Sequence, residues 1–347
     1  MACNIALSAA PQFISAAFEE IRSVDRSARV VAWMAPSIAH VAVRLPYDAF
    51  AAVLRERRPV YIRHICPLQA NVELSGSQQD IEQITRCAQD LTSVMHPEAA
   101  AALTVQARGA GGFLPHSPGV IGDRVQTAIV PSPAADDGRW VISIIVSTDR
   151  AWLGLSSAAD NLNPWPGGER HYARDEHTIG RAEFKLREAV ELFGLALPKP
   201  GLALDLGAAP GGWTRLLRRY GLEVIAVDPG DLHPSLLADP HVHHVRQLAE
   251  SFLSQQPQQT AYDIIVNDMR LDIAQSAALM CSAAPRLKRD GTALMTLKLP
   301  ARRGPQLVRS AAQTLQRCFT IIAMRQLYHN RSEVTVALAA PHFGARP

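Results

Sequence analysis

The sequence predicts an α/β protein whose C-terminal half forms a doubly wound, mostly parallel sheet, preceded by two smaller α+β units. From residue 178 onward, apolar strand-like runs alternate with helical segments, which is typical of a parallel sheet. One of these runs, LALDLG, ends in a glycine turn that leads directly into a helix. The first 75 residues follow a different order, β-α-β-β-α-β. The chain is therefore expected to divide into units of different construction.

Composition limits the class of protein. The 347 residues are enough for two or three domains, and 48% apolar with 19% charged residues is ordinary for a soluble globular protein. The five cysteines form no CxxC motif and no cluster with histidine, which favours a reducing cytoplasm and gives no metal site. No apolar run approaches the ~20 residues of a membrane helix, and the first residues lack the features of a signal peptide. We expect a soluble cytoplasmic protein with neither a metal nor a membrane as partner.

The first predicted unit covers residues 1–75. Its helices show apolar residues at helical spacing, with Pro46 near the start of the second. The order of its elements is that of a ferredoxin-like domain. Its predicted elements are the strand NIALSA, the helix PQFISAAFEEIRSV, the strands ARVVAWMA and IAHVAVRL, the helix PYDAFAAVLRERR and the strand PVYIRHI.

The second predicted unit covers residues 76–155, and a linker follows at 156–177. SQQDIEQITRCAQDLTSVM is an amphipathic helix, whereas LTVQARGAG and WVISIIVSTDRAWLGLS are strand-like. The segment between those two strands is rich in glycine and proline, which predicts loops with room for one short helix. The linker has little periodicity. Its aromatic and basic side chains could contact nucleic acid or serve structure alone.

The third predicted unit covers residues 178–347. A helix, RAEFKLREAVELFGL, precedes the sheet, and a hairpin closes it at the C-terminal end. In such folds ligands bind outside the carboxyl ends of the strands, near the switch in strand order. The predicted strands are LALDLG, EVIAVD, YDIIVNDM, TALMTLKLP, FTIIAMRQ and SEVTVALAA.

Positive charge is concentrated near the C-terminal end. Between Cys281 and Ser332 there are ten basic residues and one acid, although the net charge of the whole chain is only +3. Such an excess could follow a phosphate backbone, or it could be a solvated helix face. The ten basic residues are Arg286, Lys288, Arg289, Lys298, Arg302, Arg303, Arg309, Arg317, Arg325 and Arg331.

The glycine turn and the acid after the next strand predict a site for an adenosine-bearing cofactor. A dinucleotide site requires G-x-G-x-x-G, but Ala209 occupies the second glycine position here and Pro210 stiffens the turn. Asp228 ends the following strand, where its carboxylate can accept hydrogen bonds from both ribose hydroxyls. S-adenosylmethionine has no phosphate to bind and fits this pattern better than NAD. The predicted cofactor-binding residues are Gly207, Ala209, Pro210, Gly211, Gly212, Trp213, Asp228 and Asp268.

The motif DLGAAPGGW resembles the cofactor motif of the FtsJ-type, or RrmJ-like, ribose 2′-O-methyltransferases. That family carries a Lys-Asp-Lys-Glu tetrad, and four positions of this sequence match it in order and setting. Lys185 lies in RAEFKLREA and Asp268 ends DIIVND. Lys298 ends LMTLK and Glu333 begins EVTVAL. The resemblance implies that these four residues are catalytic and that the cofactor is S-adenosylmethionine.

The N-terminal sequence is similar to the RlmM-type branch of that family. The segments VYIRHICPLQ and WLGLSSAADNLNPWPGGERHY carry the similarity, together with the loop-rich middle. In RlmM-type enzymes a ferredoxin-like domain and a THUMP domain precede the catalytic domain, and the substrate is a cytidine ribose of large-subunit ribosomal RNA. The resemblance thus implies an RNA partner. Two positions depart from the pattern: Gly180 replaces a serine, and Leu248 replaces an acid, for which Glu250 is the nearest substitute.

A ribose 2′-hydroxyl must lose its proton as it attacks a methyl group, so the tetrad needs a base. A lysine side chain ordinarily titrates near ~10.4, and a second lysine close by in a desolvated site favours the neutral form. We expect Lys298 to be the base, Lys185 to stabilise the developing alkoxide, and Asp268 and Glu333 to orient the two lysines. Two alternatives remain open: the same chemistry on transfer RNA or another RNA, and a non-catalytic RNA-binding module that retains the fold.

Overall fold

The structure is a computed structural model that describes residues 3–96, 99–100, 102–130, 139–257, 261–300 and 304–341. Contacts divide the chain into two compact units, Met1–Arg170 and His171–Pro347, so that the boundary falls inside the segment predicted as a linker. Arg302 and Arg303, counted above in the basic stretch, lie outside the described residues. No helix within the described ranges combines the length and apolar character that a membrane crossing requires.

The first unit begins with a four-stranded sheet of order β2-β3-β1-β4, in which all neighbouring strands are antiparallel. The predicted order β-α-β-β-α-β is observed, and buried apolar side chains of the two helices form the core with the sheet. The elements are β1 (Cys3–Ser8), α1 (Ile14–Val24), β2 (Arg29–Ala35), β3 (Ile38–Val43), α2 (Tyr47–Glu56) and β4 (His64–Pro67).

The last strand of this sheet begins later than predicted. The sequence PVYIRHI predicts a strand from residue 59, but β4 starts at His64. The reason is a side chain: the carboxylate of Glu20 accepts the backbone N–H groups of Val60, Tyr61 and Ile62 at 2.7, 3.0 and 3.2 Å. These amides are therefore satisfied without a partner strand.

A second four-stranded sheet, of order β5-β8-β7-β6, completes the first unit. Strand β6 runs parallel to β7, whereas β8 is antiparallel to both β7 and β5. The predicted single run 140–156 is two strands joined by a short turn. The helix in the glycine-rich loop is a full twelve residues, and β5 was not predicted. The elements are β5 (Ala70–Glu73), α3 (Gln79–Thr92), β6 (Leu103–Gly109), α4 (Pro118–Ile129), β7 (Trp140–Val146) and β8 (Arg150–Ser157).

The second unit has a seven-stranded sheet of order β11-β10-β9-β12-β13-β15-β14. The first five strands in this order are parallel, and β15 is antiparallel to both β13 and β14, which confirms the predicted parallel sheet with a closing hairpin. The elements are α5 (Ala182–Phe193), β9 (Gly201–Leu206), α6 (Gly212–Arg219), β10 (Leu222–Val227), α7 (Pro234–Leu237), β11 (Val242–Val245), α8 (Ala249–Gln255), β12 (Tyr262–Asn267), α9 (Ile273–Ala283), β13 (Leu287–Lys298), α10 (Gly304–Leu315), β14 (Thr320–Arg325) and β15 (Glu333–Ala339).

The strand register brings the predicted site residues to one edge of this sheet. Leu206 at the end of β9 pairs with Val227 of β10 on one side and with Asn267 of β12 on the other. The next residue of each strand is therefore at the same level, at the point where the strand order reverses. In open α/β sheets this crevice is where ligands bind.

Candidate active site

The glycine turn after β9 is tight, and two of its glycines are required by its geometry. Gly207 has φ +76°, and an added Cβ would lie 2.1 Å from Cγ of Met269. Gly211 has φ +111°, and an added Cβ would lie 2.1 Å from Cδ1 of Leu236. A side chain at either position would combine an unfavourable backbone conformation with a steric clash. The chain can therefore turn closely over the sheet edge before α6 begins at Gly212.

Asp228, which follows β10, holds the turn through its carboxylate. One oxygen accepts the backbone N–H of Ala209 at 3.1 Å, and the other accepts that of Gly230 at 2.7 Å. A carboxylate oxygen can accept more than one hydrogen bond. Asp228 can thus shape the turn and still offer acceptors to the two hydroxyls of a ribose, as predicted from the sequence.

Trp213 joins α6 to the helix that precedes the sheet. Its ring is 3% exposed, and its indole nitrogen donates to the backbone carbonyl of Ala182 at 2.7 Å. This arrangement positions α6 and the turn against α5. A direct contact between Trp213 and a cofactor stays a prediction.

The four tetrad residues converge at the same edge of the sheet. Nζ of Lys185 lies 3.2 Å from Oδ2 of Asp268 and 2.9 Å from Oε2 of Glu333. Nζ of Lys298 contacts Oδ1 of Asp268 and lies 3.0 Å from Oε1 of Glu333. Each lysine therefore bridges both carboxylates. All four side chains are between 13% and 20% exposed, so the group is largely shielded but reachable from solvent.

Different elements deliver these side chains. Lys298 and Glu333 are direct cross-strand partners in the antiparallel pair of β13 and β15. Asp268 follows β12, the neighbour of β13 on the other side, and Lys185 comes from α5. The sheet thus fixes three members of the tetrad, while a helix supplies the fourth.

The charges of the tetrad stabilise one another. Burial disfavours the charged form of Lys185, but the carboxylates of Asp268 and Glu333 outweigh this effect and raise the pKa of Lys185. Burial likewise opposes ionisation of Glu333, but Lys298 and Lys185 lower its pKa below the ordinary value. Lys185 is therefore a cation and Glu333 an anion at neutral pH, which suits electrostatic and orienting roles.

Two further residues at this edge were not identified from the sequence. Thr296, two residues before Lys298 on β13, donates its hydroxyl to Oδ1 of Asp268 at 2.5 Å. Asp205 lies within β9, is buried, and accepts the hydroxyl of Thr214 at 2.7 Å. An acid inside the apolar run LALDLG is costly to bury, and this cost was the signal that could have identified Asp205.

The carboxylates around the turn fit a cationic cofactor. Burial raises the pKa of Asp205 to about 7; the hydrogen bond from Thr214 opposes this rise, and the charges of Asp268 and Asp228 add to it. The carboxylates of Asp205, Asp228 and Asp268 thus lie near one another at this edge of the sheet. The sulfonium and ammonium groups of S-adenosylmethionine are attracted there, whereas the pyrophosphate of a dinucleotide is repelled. Among the described residues, no group of His, Cys, Asp and Glu could hold a metal ion.

The position that departs from the family pattern lies near the end of the third parallel strand. Leu248 is 57% exposed and immediately precedes α8. Glu250, in the first turn of α8, lines a groove of about 760 Å³ between α8 and α9 together with Gln275. A contact between Glu250 and a cofactor stays a prediction.

The basic stretch is not one continuous surface. Arg286 is buried, where its guanidinium donates to the backbone carbonyls of Ser282 and Gln256 at 3.0 and 2.7 Å. Lys288 pairs with Asp263 at 2.7 Å, and Lys298 belongs to the tetrad. Arg286 is buried and the other two charges are paired with acids, so the excess counted along the sequence overstates the charge available to a phosphate backbone.

The sheet order and the glycine turn give the second unit the Rossmann-like fold of S-adenosylmethionine-dependent methyltransferases. Residues 178–308 match the family model described as FtsJ-like methyltransferase, a range that contains Lys185, Asp268 and Lys298. The second unit is therefore similar to FtsJ-like methyltransferases over this range. Glu333 lies beyond the matched range.

Several relatives carry the name Ribosomal RNA large subunit methyltransferase M. The protein from Halorhodospira halophila is 39% identical over 175 residues, which is 50% of each chain. That from Alkalilimnicola ehrlichii is 37% identical over 201 residues, 56% of this chain and 54% of the relative. A longer alignment, with the protein from Thauera aminoaromatica, covers 84% of this chain and 82% of the relative at 27% identity. In the first two alignments the chain spans about half the length of the relatives it matches.

Solved structures resemble the chain only distantly. TrmN from Thermus thermophilus covers 98% of this chain and 100% of its own, at 18% identity and a TM-score of 0.38. A ribosomal RNA methyltransferase from Plasmodium falciparum, named putative in its description, covers 46% of this chain and 97% of its own, at 19% identity and a TM-score of 0.36. At these scores the backbones superpose poorly.

Proposed function

We propose that this protein is an S-adenosylmethionine-dependent ribose 2′-O-methyltransferase that acts on large-subunit ribosomal RNA, with a cytidine as the target nucleoside. The observation that carries the proposal is the convergence of two lysines and two carboxylates at the sheet edge that also holds the glycine turn. A lone lysine or glutamate at such a place is usually an ordinary charge. Here two lysines and two carboxylates lie next to the predicted cofactor site, and each lysine contacts both carboxylates. This arrangement supports general base chemistry.

In the proposed reaction, Lys298 accepts the proton of the 2′-hydroxyl through Nζ. The bound cofactor supplies an electrophilic methyl group on a sulfonium. The bond between the ribose oxygen and the methyl carbon forms as the bond between sulfur and that carbon breaks, so no further co-reactant is required. Lys185 stays charged and stabilises the oxygen as negative charge develops. Asp268 and Glu333 hold both lysines in reach of one substrate atom.

We further propose that the N-terminal part positions the RNA. Residues 1–75 are assigned as a ferredoxin-like domain, 76–155 as a THUMP-like RNA-binding domain, 156–177 as a linker and 178–347 as the methyltransferase domain. The order of strands in the first sheet, β2-β3-β1-β4 with two helices in the connections, supports the ferredoxin-like assignment. The second sheet is a separate four-stranded α+β layer, consistent with an additional substrate-binding domain.

The name shared by the relatives favours ribosomal RNA as substrate over transfer RNA. A ribosomal substrate would also place the protein in the cytoplasm. Transfer RNA, another RNA, and a non-catalytic RNA-binding role are the competing outcomes of the test below. The paired tetrad favours an enzyme over a binding module, because idle charges at such a shielded position are costly.

Methyl transfer to defined RNAs tests the proposal. Purified protein is incubated with methyl-labelled cofactor and, separately, with protein-free large-subunit RNA, small-subunit RNA and transfer RNA. We expect label in large-subunit RNA alone, and mass spectrometry of nuclease fragments should locate it on the 2′-oxygen of one cytidine. Label on transfer RNA would instead establish the competing substrate. If the protein binds cofactor and RNA but transfers no label to any of them, the binding-module alternative is correct.

A further inference from the structure

The connection between β14 and β15 is a braced hairpin that leads into Glu333. Gln326, Leu327 and Asn330 in this connection are buried, although it joins two strands at the edge of the sheet. Oδ1 of Asn330 accepts the backbone N–H of Leu327 at 2.9 Å and the hydroxyl of Thr335 at 3.1 Å. Nε2 of Gln326 donates to the carbonyl of Asn330 at 3.3 Å. The hairpin is therefore braced by its own hydrogen bonds, one of which reaches Thr335 near the start of β15.

A buried glutamate of α5 holds this hairpin. Glu188 is 0% exposed, and its two oxygens accept the backbone N–H groups of Tyr328 and His329, each at 2.8 Å. A carboxylate is costly to bury unless hydrogen bonds replace its hydration. Two backbone donors, one for each oxygen, help to offset the cost of burying Glu188. They also anchor the tip of the hairpin to the helix.

The same helix carries Lys185 one turn earlier. Side chains three residues apart on an α-helix lie on the same face, so Lys185 and Glu188 point toward the same part of the molecule. Lys185 reaches Glu333, while Glu188 reaches the backbone four to five residues before Glu333. Helix α5 thus contacts the hairpin through Glu188 and the first residue of β15 through Lys185.

We propose that Glu188 is a positioning residue for the tetrad. By fixing the hairpin to α5, it sets the distance between Lys185 and the carboxylate of Glu333, and through Glu333 the orientation of Lys298. The role in methyl transfer rests on the proposed function; the anchoring itself does not. Misplacing a catalytic group by about 1 Å can cost about 100-fold in rate.

Aromatic rings also join the hairpin to α5. The ring of His329 lies 5.2 Å from that of Phe184 on α5 and 5.2 Å from that of Tyr172. These contacts do not involve the carboxylate. Loss of Glu188 is therefore expected to loosen the position of the hairpin without unfolding the unit, which makes the proposal testable by substitution.

The experiment compares Glu188→Gln and Glu188→Ala with Glu191→Gln. Glutamine retains one acceptor oxygen and can hold one of the two amides, whereas alanine holds neither. Glu191, on the same helix, accepts hydrogen bonds from Arg187 and Tyr172, so Glu191→Gln controls for the loss of a negative charge on α5. Three quantities are measured: hydrogen exchange of the amides of Tyr328 and His329, cofactor affinity by calorimetry, and single-turnover methyl transfer per cofactor-binding site.

We expect exchange at both amides to accelerate in Glu188→Ala and at one of them in Glu188→Gln, with Glu191→Gln unchanged. Transfer should fall by about 100-fold in Glu188→Ala and less in Glu188→Gln, while cofactor affinity stays at the wild-type value. Unchanged exchange in Glu188→Ala overturns the anchoring. Faster exchange with wild-type transfer overturns the positioning role. Absence of transfer by the wild-type protein refutes the proposed function instead, and the exchange result still decides the anchoring.

Discussion

The glycine turn at residues 207–212 and Asp228, together called the cofactor edge, lie beside the tetrad on one sheet. The two sites are held together in different ways. At the cofactor edge the contacts are mostly to backbone: Asp228 accepts the amides of Ala209 and Gly230, and all three residues lie within one strand-turn-helix-strand segment. In the tetrad the contacts among the four members all join charged side chains, and these residues span 185 to 333 in the sequence. The first site is a local structure, whereas the second exists only when the whole unit is folded.

This difference predicts that the two sites can be damaged separately. Changes in the tetrad should affect the chemical step with little effect on the shape of the turn, because no tetrad side chain bonds to the turn backbone in the contacts found between described residues. Changes at Asp228 should affect cofactor affinity, because its two hydrogen bonds shape the turn. The following substitutions test this separation, from the largest expected effect to the smallest.

Substitution of Lys298 should have the largest effect. Lys298→Ala should lower single-turnover methyl transfer by ~10²–10⁴-fold, as is typical for loss of a general base, and leave cofactor affinity nearly unchanged. Lys298→Arg should fail almost as badly, because a guanidinium stays protonated and cannot accept the hydroxyl proton. The wild-type rate should rise with pH as the base loses its proton, and then level off.

Lys288→Ala is the matched control for Lys298. Lys288 lies on the same strand and pairs with Asp263, far from the sheet edge that carries the tetrad, so its loss should leave the rate unchanged. If Lys298→Arg keeps the wild-type rate, Lys298 contributes charge or position only, and the base must be another group. If Lys298→Ala also abolishes cofactor binding, the two sites are not separable.

Substitution of Asp228 should act on cofactor affinity. Asp228→Ala leaves the amides of Ala209 and Gly230 without their acceptor and removes the predicted bonds to ribose. Hydrogen bonds to a charged group contribute roughly 1.5–3 kcal/mol each, so an affinity loss of about tenfold or more is expected by calorimetry. The exposed Asp231→Asn variant, three residues beyond Asp228, should bind normally.

A double-mutant cycle separates the two roles of Asp228. Wild-type protein and Asp228→Ala are each titrated with S-adenosylhomocysteine and with its 2′,3′-dideoxy analogue. If the carboxylate bonds to the ribose hydroxyls, the wild type should lose affinity for the analogue and the variant should not distinguish the two ligands. Equal discrimination by both proteins would mean that Asp228 only shapes the turn.

The sequence predicted most of the second unit because its signals are local. The glycine turn follows an apolar strand, and Asp268 and Lys298 interrupt apolar runs at strand ends, where an idle charge is expensive. The catalytic roles of the tetrad residues came from a resemblance, since nothing local to Lys185 or Glu333 shows that they meet. Their convergence required the fold.

The features that sequence reasoning missed depend on contacts between distant residues. The late start of β4 depends on Glu20, which lies some 40 residues earlier and takes the amides that a strand would otherwise pair. From the sequence alone, Glu188 is an ordinary polar residue of an amphipathic helix. Its hydrogen bonds with the hairpin backbone are evident only in the structure. Asp205 carried a signal, an acid within an apolar strand, but its partner Thr214 on α6 becomes evident only in the structure.

Substitution of Asp205 is expected to affect stability and not rate. Its pKa is raised from the ordinary 3.8 to about 7 in the folded protein, so between these values the folded state keeps a proton that the unfolded state releases. The free energy of unfolding should therefore fall as pH rises from about 4 to 7, and the penalty should then stay constant above 7. Asp205→Asn is neutral at every pH and can still accept a hydrogen bond from Thr214, so its stability relative to wild type should increase across the same range.

Denaturant unfolding at pH 5 and pH 8 checks this, with Asp231→Asn as the solvent-exposed control. If wild type and Asp205→Asn differ by the same amount at both pH values, Asp205 is ionised in the folded protein at both, and its pKa is not raised.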